Sequence, residues 1–104
     1  MKKYVLLLVF MVCASKAWSL EVIVGKVTLI EATYLPQLIT FTLDSGSENC
    51  PAGAWIRWEK ESTENNLAVY STLLAALLSG NKVRAHIEAG DTKCMVQYIH
   101  LLKS

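Results

Sequence analysis

The first nineteen residues decide how much of this chain is left to fold. Two lysines follow Met1 and precede an almost unbroken apolar run, Tyr4–Ala14, which is about half of the roughly 20 residues that a membrane-spanning helix needs. Small residues at positions 17 and 19 then stand where a signal peptidase recognises its substrate. The pattern predicts a secretory signal peptide over residues 1–19, cleaved between Ser19 and Leu20, with Ser15-Lys16-Ala17 as an alternative site two residues earlier. The predicted location is therefore periplasmic or secreted, with no membrane insertion.

Removing the signal peptide changes the charge of the folded part. Residues 20–104 hold seven Lys and Arg against nine Asp and Glu, so the formal net charge of +1 becomes −2. The basic residues are scattered along the sequence, whereas binding to nucleic acid needs concentrated positive charge. We therefore expect one domain over residues 20–104, without a basic patch and without a nucleic-acid partner.

The cysteines predict one disulfide bond. Cys13 belongs to the signal peptide, which leaves Cys50 and Cys94. An even pair in a small domain of an oxidising compartment indicates a bridge, and closing a loop of about 44 residues is worth about 4 kcal/mol. A zinc site would need Cys-x-x-Cys or paired histidines, which the sequence lacks. We expect no metal and no cofactor.

Alternation of apolar and polar residues predicts five strands. They cover residues 22–33, 38–44, 54–60, 83–88 and 94–102. The predicted inner rows of the second, third and fourth strands are Ile39, Phe41 and Leu43; Ala54, Ile56 and Trp58; and Val83, Ala85 and Ile87. Gly25 interrupts the inner row of the first strand, between Ile23 and Val27 with Leu29 beyond, and a strand glycine often marks a bulge or a bend.

One helix is predicted over Leu67–Ser79, with Gly80 as its C-terminal stop. Its apolar half, which we expect to face the core, comprises Leu67, Val69, Tyr70, Leu73, Leu74, Leu77 and Leu78. The other half is small and uncharged: Ala68, Ser71, Thr72, Ala75, Ala76 and Ser79. That half is either covered by the chain's own domain or packed against a neighbouring subunit. Because a domain of this size rarely buries a helix all round, we favour an oligomer interface.

The element order is strand, strand, strand, helix, strand, strand. This is the order of the OB-fold, a small five-stranded Greek-key barrel. An open sheet with one packed helix fits the periodicity equally well. The expected bend at Gly25 and the length of the first strand favour the barrel, so the predicted fold class is mainly β with one helix, OB-fold-like.

Residues 66–87 carry Tyr-Ser-Thr at 70–72, Ser-Gly at 79–80 and Val-Arg-x-His-Ile at 83–87. This segment resembles the helix and following strand of small secreted bacterial OB-fold proteins related to the B subunits of A–B toxins, especially the subtilase-cytotoxin type. The resemblance implies a subunit that self-associates into a ring, often a pentamer, with the helices around a central pore. It also implies an outer barrel surface that binds host glycans, although no sugar-contacting residue can be matched.

The sequence offers no catalytic constellation. Its histidines beyond residue 19 are His86 and His100, and the sequence contains no Gly-x-Ser-x-Gly elbow, His-Glu-x-x-His pair or phosphate-binding glycine loop. His86 is expected to point outward beside Arg84 as a solvated side chain. The chain is therefore predicted not to be an enzyme.

The residues Trp55-Ile56-Arg57-Trp58 are the most suggestive binding feature. Alternation places the two tryptophans on opposite faces of a strand, and Trp58, in line with Ile56, is predicted to lie in the core. Trp55 beside Arg57 is then a candidate ligand contact, because amphipathic aromatics stack on sugars and fill protein interfaces. The alternative is that Trp55 covers the barrel edge or the disulfide.

These observations predict a non-enzymatic secreted binding module that self-associates and recognises a glycan or a protein. The alternative is a small periplasmic structural or inhibitory protein without a glycan ligand, whose helix is satisfied within its own domain.

Overall fold

The computed structural model describes residues 20–103 and contains, within that range, five strands and one helix. In chain order these are β1 Leu20–Glu31, β2 Ile39–Leu43, β3 Ile56–Trp58, α1 Thr63–Ser79, β4 Lys82–Glu88 and β5 Val96–Leu101. The predicted class, mainly β with one helix between the third and fourth strands, is confirmed. The predicted signal peptide lies outside the described residues.

The strands form one sheet in the order β3-β2-β1-β4-β5, with antiparallel neighbours. β1 is the central strand and changes partner along its length: Leu20–Lys26 pairs with β4, and the part from Val27 to Glu31 pairs with β2. β1 is a single strand of twelve residues. Its first half pairs with β4 and its second half pairs with β2, so this one strand links the two parts of the sheet.

The register of β1 shifts between Val27 and Leu29, so the irregularity lies there and not at Gly25. Thr28 is the extra residue, and its hydroxyl lies 2.7 Å from that of Thr42 on β2. A bulge of this kind breaks the alternation of faces. For this reason Leu29, predicted to face inward, is 44% exposed.

Gly25 has a different role, which is to let the chain after β2 approach β1. A Cβ atom at this position would lie 2.7 Å from Asp44 Oδ1 and would also overlap Ser45 Oγ. The absence of a side chain therefore allows the loop that follows β2 to pack directly against β1.

The edge strand β3 is bonded to the residues that lead into the other edge strand, β5. Arg57 and Met95 form an isolated parallel bridge, and the Arg57 amide donates a 3.0 Å hydrogen bond to the Cys94 carbonyl. The two ends of the sheet order are thus in contact at the level of Arg57.

The core lies between the inner face of the sheet and α1. Its aliphatic and aromatic members are Ile23, Val27, Ile39, Phe41, Leu43, Ile56, Trp58, Val69, Leu73, Ala76, Val83, Ala85, Ile87 and Val96. The inner rows predicted for β2, β3 and β4 are therefore confirmed.

The helix is capped at both ends. Ser62 Oγ accepts from the Asn65 amide at 3.1 Å, so α1 begins at Thr63, before the predicted Leu67. Gly80 adopts φ 75° and its amide donates to the Ala76 carbonyl at 2.9 Å, as predicted for a C-terminal stop.

The face that α1 turns to the core differs from the predicted one. Its fully buried residues are Asn66, Val69, Leu73 and Ala76. The prediction that the leucine-rich half faces inward is wrong for Leu67, Leu77 and Leu78, which are exposed. The buried residues of α1 form a stripe that begins at Asn66. The helix is therefore rotated about its own axis from the orientation that its apolar half predicts.

Asn66 is a buried polar hub. Its Nδ2 donates to the carbonyls of Pro36, Gln37 and Lys60 at 2.8, 3.2 and 3.0 Å, and its Oδ1 accepts from the Lys60 amide at 3.1 Å. One side chain therefore joins the turn after β1, the end of β3 and the start of α1.

The predicted disulfide is present. Cys50 and Cys94 are bonded, with an Sγ–Sγ distance of 2.12 Å and a Cα–Cα distance of 5.9 Å, and both are buried. The bridge joins the loop between β2 and β3 to the turn between β4 and β5, and it is compatible with an oxidising compartment.

Candidate functional site

Trp55 and Arg57, the predicted ligand contacts, lie at the edge strand β3. Trp55 is 49% exposed, and Arg57 points outward between the buried Ile56 and Trp58. Trp58 donates through Nε1 to Asn65 Oδ1 at 3.1 Å. The prediction that one tryptophan is in the core and the other at the surface is confirmed. Trp55, immediately before β3, and Arg57, within it, are both exposed.

The backbone of this edge is held from two sides. The Arg57 amide is bonded to the Cys94 carbonyl, and the Ala54 amide donates to the Pro51 carbonyl at 3.0 Å. Cys94 and Cys50, next to Pro51, are the two halves of the disulfide. The segment that carries Trp55 is therefore fixed next to the bridge.

A carboxylate organises the loop on the other side of the bridge. Glu21 accepts hydrogen bonds from Ser47 Oγ at 2.7 Å, from Asn49 Nδ2 and from the Gly90 amide at 3.3 Å. These hydrogen bonds favour the ionised carboxylate and lower the pKa of Glu21 below its ordinary value. The bond from Ser47 has the largest effect. Glu21 thus connects the start of β1 to both segments that the disulfide joins, Ser47–Cys50 and Gly90–Cys94.

The predicted interface residues of α1 are mostly at the surface. Ala68, Ser71, Ala75 and Ser79 are exposed and Thr72 is partly buried. Ala76 is a correction: only 1% of it is exposed and it packs in the core, because it continues the stripe of Asn66, Val69 and Leu73.

The exposed side of α1 is more apolar than predicted. Three leucines of α1 lie outside the core: Leu78 is 79% exposed, Leu67 47% and Leu77 37%. A small-residue surface bordered by leucines is consistent with a helix that packs against another surface.

A further surface, the outward side of β1, β4 and β5, was missed by sequence reasoning, and we call it the outer face. Cross-strand register groups its side chains into three adjoining rows: Lys26 with Lys82; Val24 with Arg84 and His100; and Val22 with His86 and Tyr98. Three of the seven Lys and Arg residues, which are scattered in the sequence, therefore lie on one face of the sheet. The sequence signal was the spacing of two residues between Lys82, Arg84 and His86, which places all three on one side of a strand.

His86 is not the solvated residue that was predicted. It is partly buried, and its Nε2 atom is buried without a hydrogen-bond partner. Its ring meets those of His100 and Tyr98 edge-on, with centroids 5.1 and 6.2 Å away. Burial, followed by the charges of His100 and Arg84, lowers the pKa of His86.

Residues 20–103 contain neither a metal-ligand cluster nor a membrane-spanning helix. In that range no three His, Cys, Asp or Glu side chains are grouped as metal ligands. The helix described there is not long and apolar enough to span a bilayer. An open groove of about 400 Å³ lies beside the start of α1, lined by Gln37, Glu59, Lys60, Glu61 and Thr63.

Comparison with known proteins assigns no family. No protein-family model matches the chain, and no curated protein matches it significantly. The resemblance to toxin B subunits therefore rests on residues 66–87, the element order, the cysteine pair and the predicted signal peptide.

Proposed function

We propose that this chain is a secreted, non-enzymatic binding module that self-associates and recognises a glycan or a protein through Trp55 and Arg57. The observation that carries the proposal is the half-exposed Trp55 beside the outward Arg57, on backbone fixed to the disulfide. Trp and Arg are enriched among residues that dominate binding energy. A preordered backbone also lowers the entropy that binding costs.

The same proposal assigns the chain to OB-fold-like barrels of the toxin B-subunit type. Support comes from the contact of β3 with β5 at Arg57 and Met95, which is where a five-stranded barrel would close. The change of partner along β1, with a bulge at Thr28, is also what a sheet that curls on itself requires.

Self-association through α1 is supported by its exposed leucines and small residues. Leu67, Leu77 and Leu78 are exposed together with Ala68, Ser71 and Ala75, and the helix carries a single charged side chain, Glu64 in its first turn. In a closed ring, each copy would use two different surfaces, one of them centred on this helix.

Replacing Trp55 with alanine tests ligand recognition. We expect binding of residues 20–104 to a glycan array, and about a 30-fold loss of affinity for the strongest bound glycan in the Trp55→Ala variant, as for a typical hot-spot residue. Tyr34→Ala is the matched control, since Tyr34 is 57% exposed and lies outside β3. A Trp55→Ala variant that keeps its fold and its affinity contradicts the proposed contact.

Light scattering after size-exclusion chromatography tests assembly. We expect residues 20–104 to elute as a multiple of the chain mass, and Leu78→Glu to shift the protein to the monomer. Ala52→Glu adds the same charge at an exposed position outside α1 and should leave the assembly intact. A monomeric unsubstituted chain would remove the ring and favour the alternative, a small periplasmic structural or inhibitory protein.

A further inference from the structure

The outer face concentrates positive charge, although residues 20–104 have an excess of acidic residues. Lys26 lies directly opposite Lys82, and Arg84 directly opposite His100. Like charges opposite one another on neighbouring strands are destabilising. Residues 20–104 nevertheless carry a net charge of −2, so the fold has separated these cations from most carboxylates.

Two carboxylates lie at the borders of this face. Glu88 pairs with Leu20 at one end, and Asp44 lies at the other, where its Oδ1 accepts from the Lys26 amide at 2.8 Å. Neither lies within the rows of Arg84 and His86. The centre of the outer face is therefore open to an external anion.

Apolar side chains border the basic ones. Leu20, Val22 and Val24 follow one another along β1 and are 47%, 48% and 40% exposed, and Tyr98 on β5 is 59% exposed. Apolar and aromatic side chains next to Lys and Arg suit a partner that combines negative charge with hydrocarbon, such as the interface of an anionic bilayer. A purely hydrophilic polyanion would leave the aliphatic row without a partner.

We propose that the outer face binds the surface of membranes that contain anionic lipids. Lys82 and Arg84, with Lys26 at the border, bind the headgroup phosphates, while Val22, Val24 and Tyr98 lie against the headgroup and acyl boundary. The association is peripheral and rests on residues separate from Trp55 and Arg57, so it stands or falls independently of glycan recognition.

Binding should strengthen in acid, because the two histidines lie within the face. The neighbours of His86 on this face are the uncharged Val22 on β1, Arg84 and Glu88 on β4, and Tyr98 and His100 on β5. Each added positive charge near an anionic membrane surface strengthens binding about fivefold. Because the pKa of His86 is lowered, this side chain adds its positive charge only at the acidic end of the pH range.

The test is sedimentation of residues 20–104 with vesicles of phosphatidylcholine, with and without phosphatidylglycerol. We expect binding to the anionic vesicles only, weakened by salt, and stronger by about fivefold or more when the pH is lowered from about 7.5 to about 5.5. Equal binding to the neutral vesicles, or no binding to either at both pH values, overturns the proposal.

Two paired variants locate the surface. Lys82→Gln with Arg84→Gln should weaken vesicle binding about 25-fold, since two charges are lost. Lys60→Gln with Lys93→Gln removes the same charge elsewhere and should have a much smaller effect. Equal losses in the two pairs, with folds intact by circular dichroism, would refute the outer face as the binding surface.

The histidines and the aliphatic row of the outer face each have a variant of their own. His86→Gln with His100→Gln should abolish the acid enhancement while retaining binding at neutral pH, and unchanged enhancement overturns the role of the histidines. Val22→Asp should abolish vesicle binding without changing the oligomeric state. If it instead dissociates an oligomer, the outer face is a contact between copies of this chain and the lipid proposal is overturned.

Discussion

Asn66 is the residue whose replacement should cost the fold most for its size. Asn66→Ala removes a partner from the Lys60 amide and from three carbonyls, and leaves a small cavity at the start of α1. Buried polar groups that lose their partners carry a large desolvation cost. We expect a loss of about 2–4 kcal/mol in the free energy of unfolding, measured by denaturant titration.

The adjacent asparagine supplies the control. Asn65 is exposed, and its side chain accepts a single bond, from Trp58 Nε1. Asn65→Ala should therefore cost about 1 kcal/mol. Equal costs at positions 65 and 66 would contradict the role of Asn66 as the hub.

Glu21 should make stability depend on pH. The pKa of this carboxyl is lowered in the folded state by Ser47, Asn49 and Gly90, so its contribution is present above the ordinary value of 4.5 and is lost as the pH falls through the lowered one. Glu21→Gln should lower the melting temperature at neutral pH, and the difference from the unsubstituted protein should shrink in acid.

Thermal unfolding between neutral pH and about pH 2 measures this effect. Glu48→Gln removes the same charge from the loop that Glu21 contacts, without replacing any of the three donors to Glu21. If both variants show the same pH dependence, general charge and not the hydrogen bonds to Glu21 is responsible.

At the scale of elements, the end of α1 depends on backbone conformation alone. Gly80 has φ 75° and a Cβ there would meet no atom within 4 Å. Gly80→Ala should therefore destabilise by about 1 kcal/mol, entirely through the left-handed conformation. Gly80→Asn, which tolerates this conformation better, should cost less. Denaturant titration compares them, and equal stability of all three would contradict this account.

Much of the element pattern was predictable because it depends on neighbours in the sequence. Alternation indicated the inner rows of β2, β3 and β4, and Gly80 ended the helix where expected. The ends were less accurate because hydrogen bonds set them: Ser62 starts α1 earlier than the apolar pattern indicates, and β3 keeps only three residues of its predicted seven.

The rotation of α1 was not predictable from its apolar pattern. That pattern placed Leu77 and Leu78 inward and Ala76 outward. The actual rotation follows from Asn66, whose partners at Pro36, Gln37 and Lys60 are supplied by two other segments. Nothing in the residues around position 66 indicates that a polar side chain begins the buried stripe.

Of the candidate sites, the edge at Trp55 was predictable and the outer face was not. Strand alternation sufficed to separate Trp55 from Trp58. The outer face needs the register of β1 against β4, which aligns Lys26 with Lys82 although 56 residues separate them in the sequence. Along the sequence, without this register, the basic residues are scattered.

For the whole molecule, the disulfide is a large part of stability. Replacing both Cys50 and Cys94 with alanine opens a loop of 44 residues, and the entropy of the unfolded chain then rises by the equivalent of about 4 kcal/mol. Net stabilities of small domains are of the same order. We expect a large fall in the melting temperature, measured by calorimetry. The unsubstituted protein under reducing conditions is the comparison. An unchanged melting temperature would show that the bridge contributes little to stability.

The position of the bridge has a consequence for limited proteolysis. Every peptide bond between Cys50 and Cys94, including those of the exposed segments at Glu61–Ser62 and at Ala89–Gly90, lies inside the covalent loop. A protease that cuts once in such a segment leaves two pieces still joined through sulfur, with α1 or β4 tethered near its neighbours. A nicked molecule can therefore run as an intact chain without reductant and as two fragments with it.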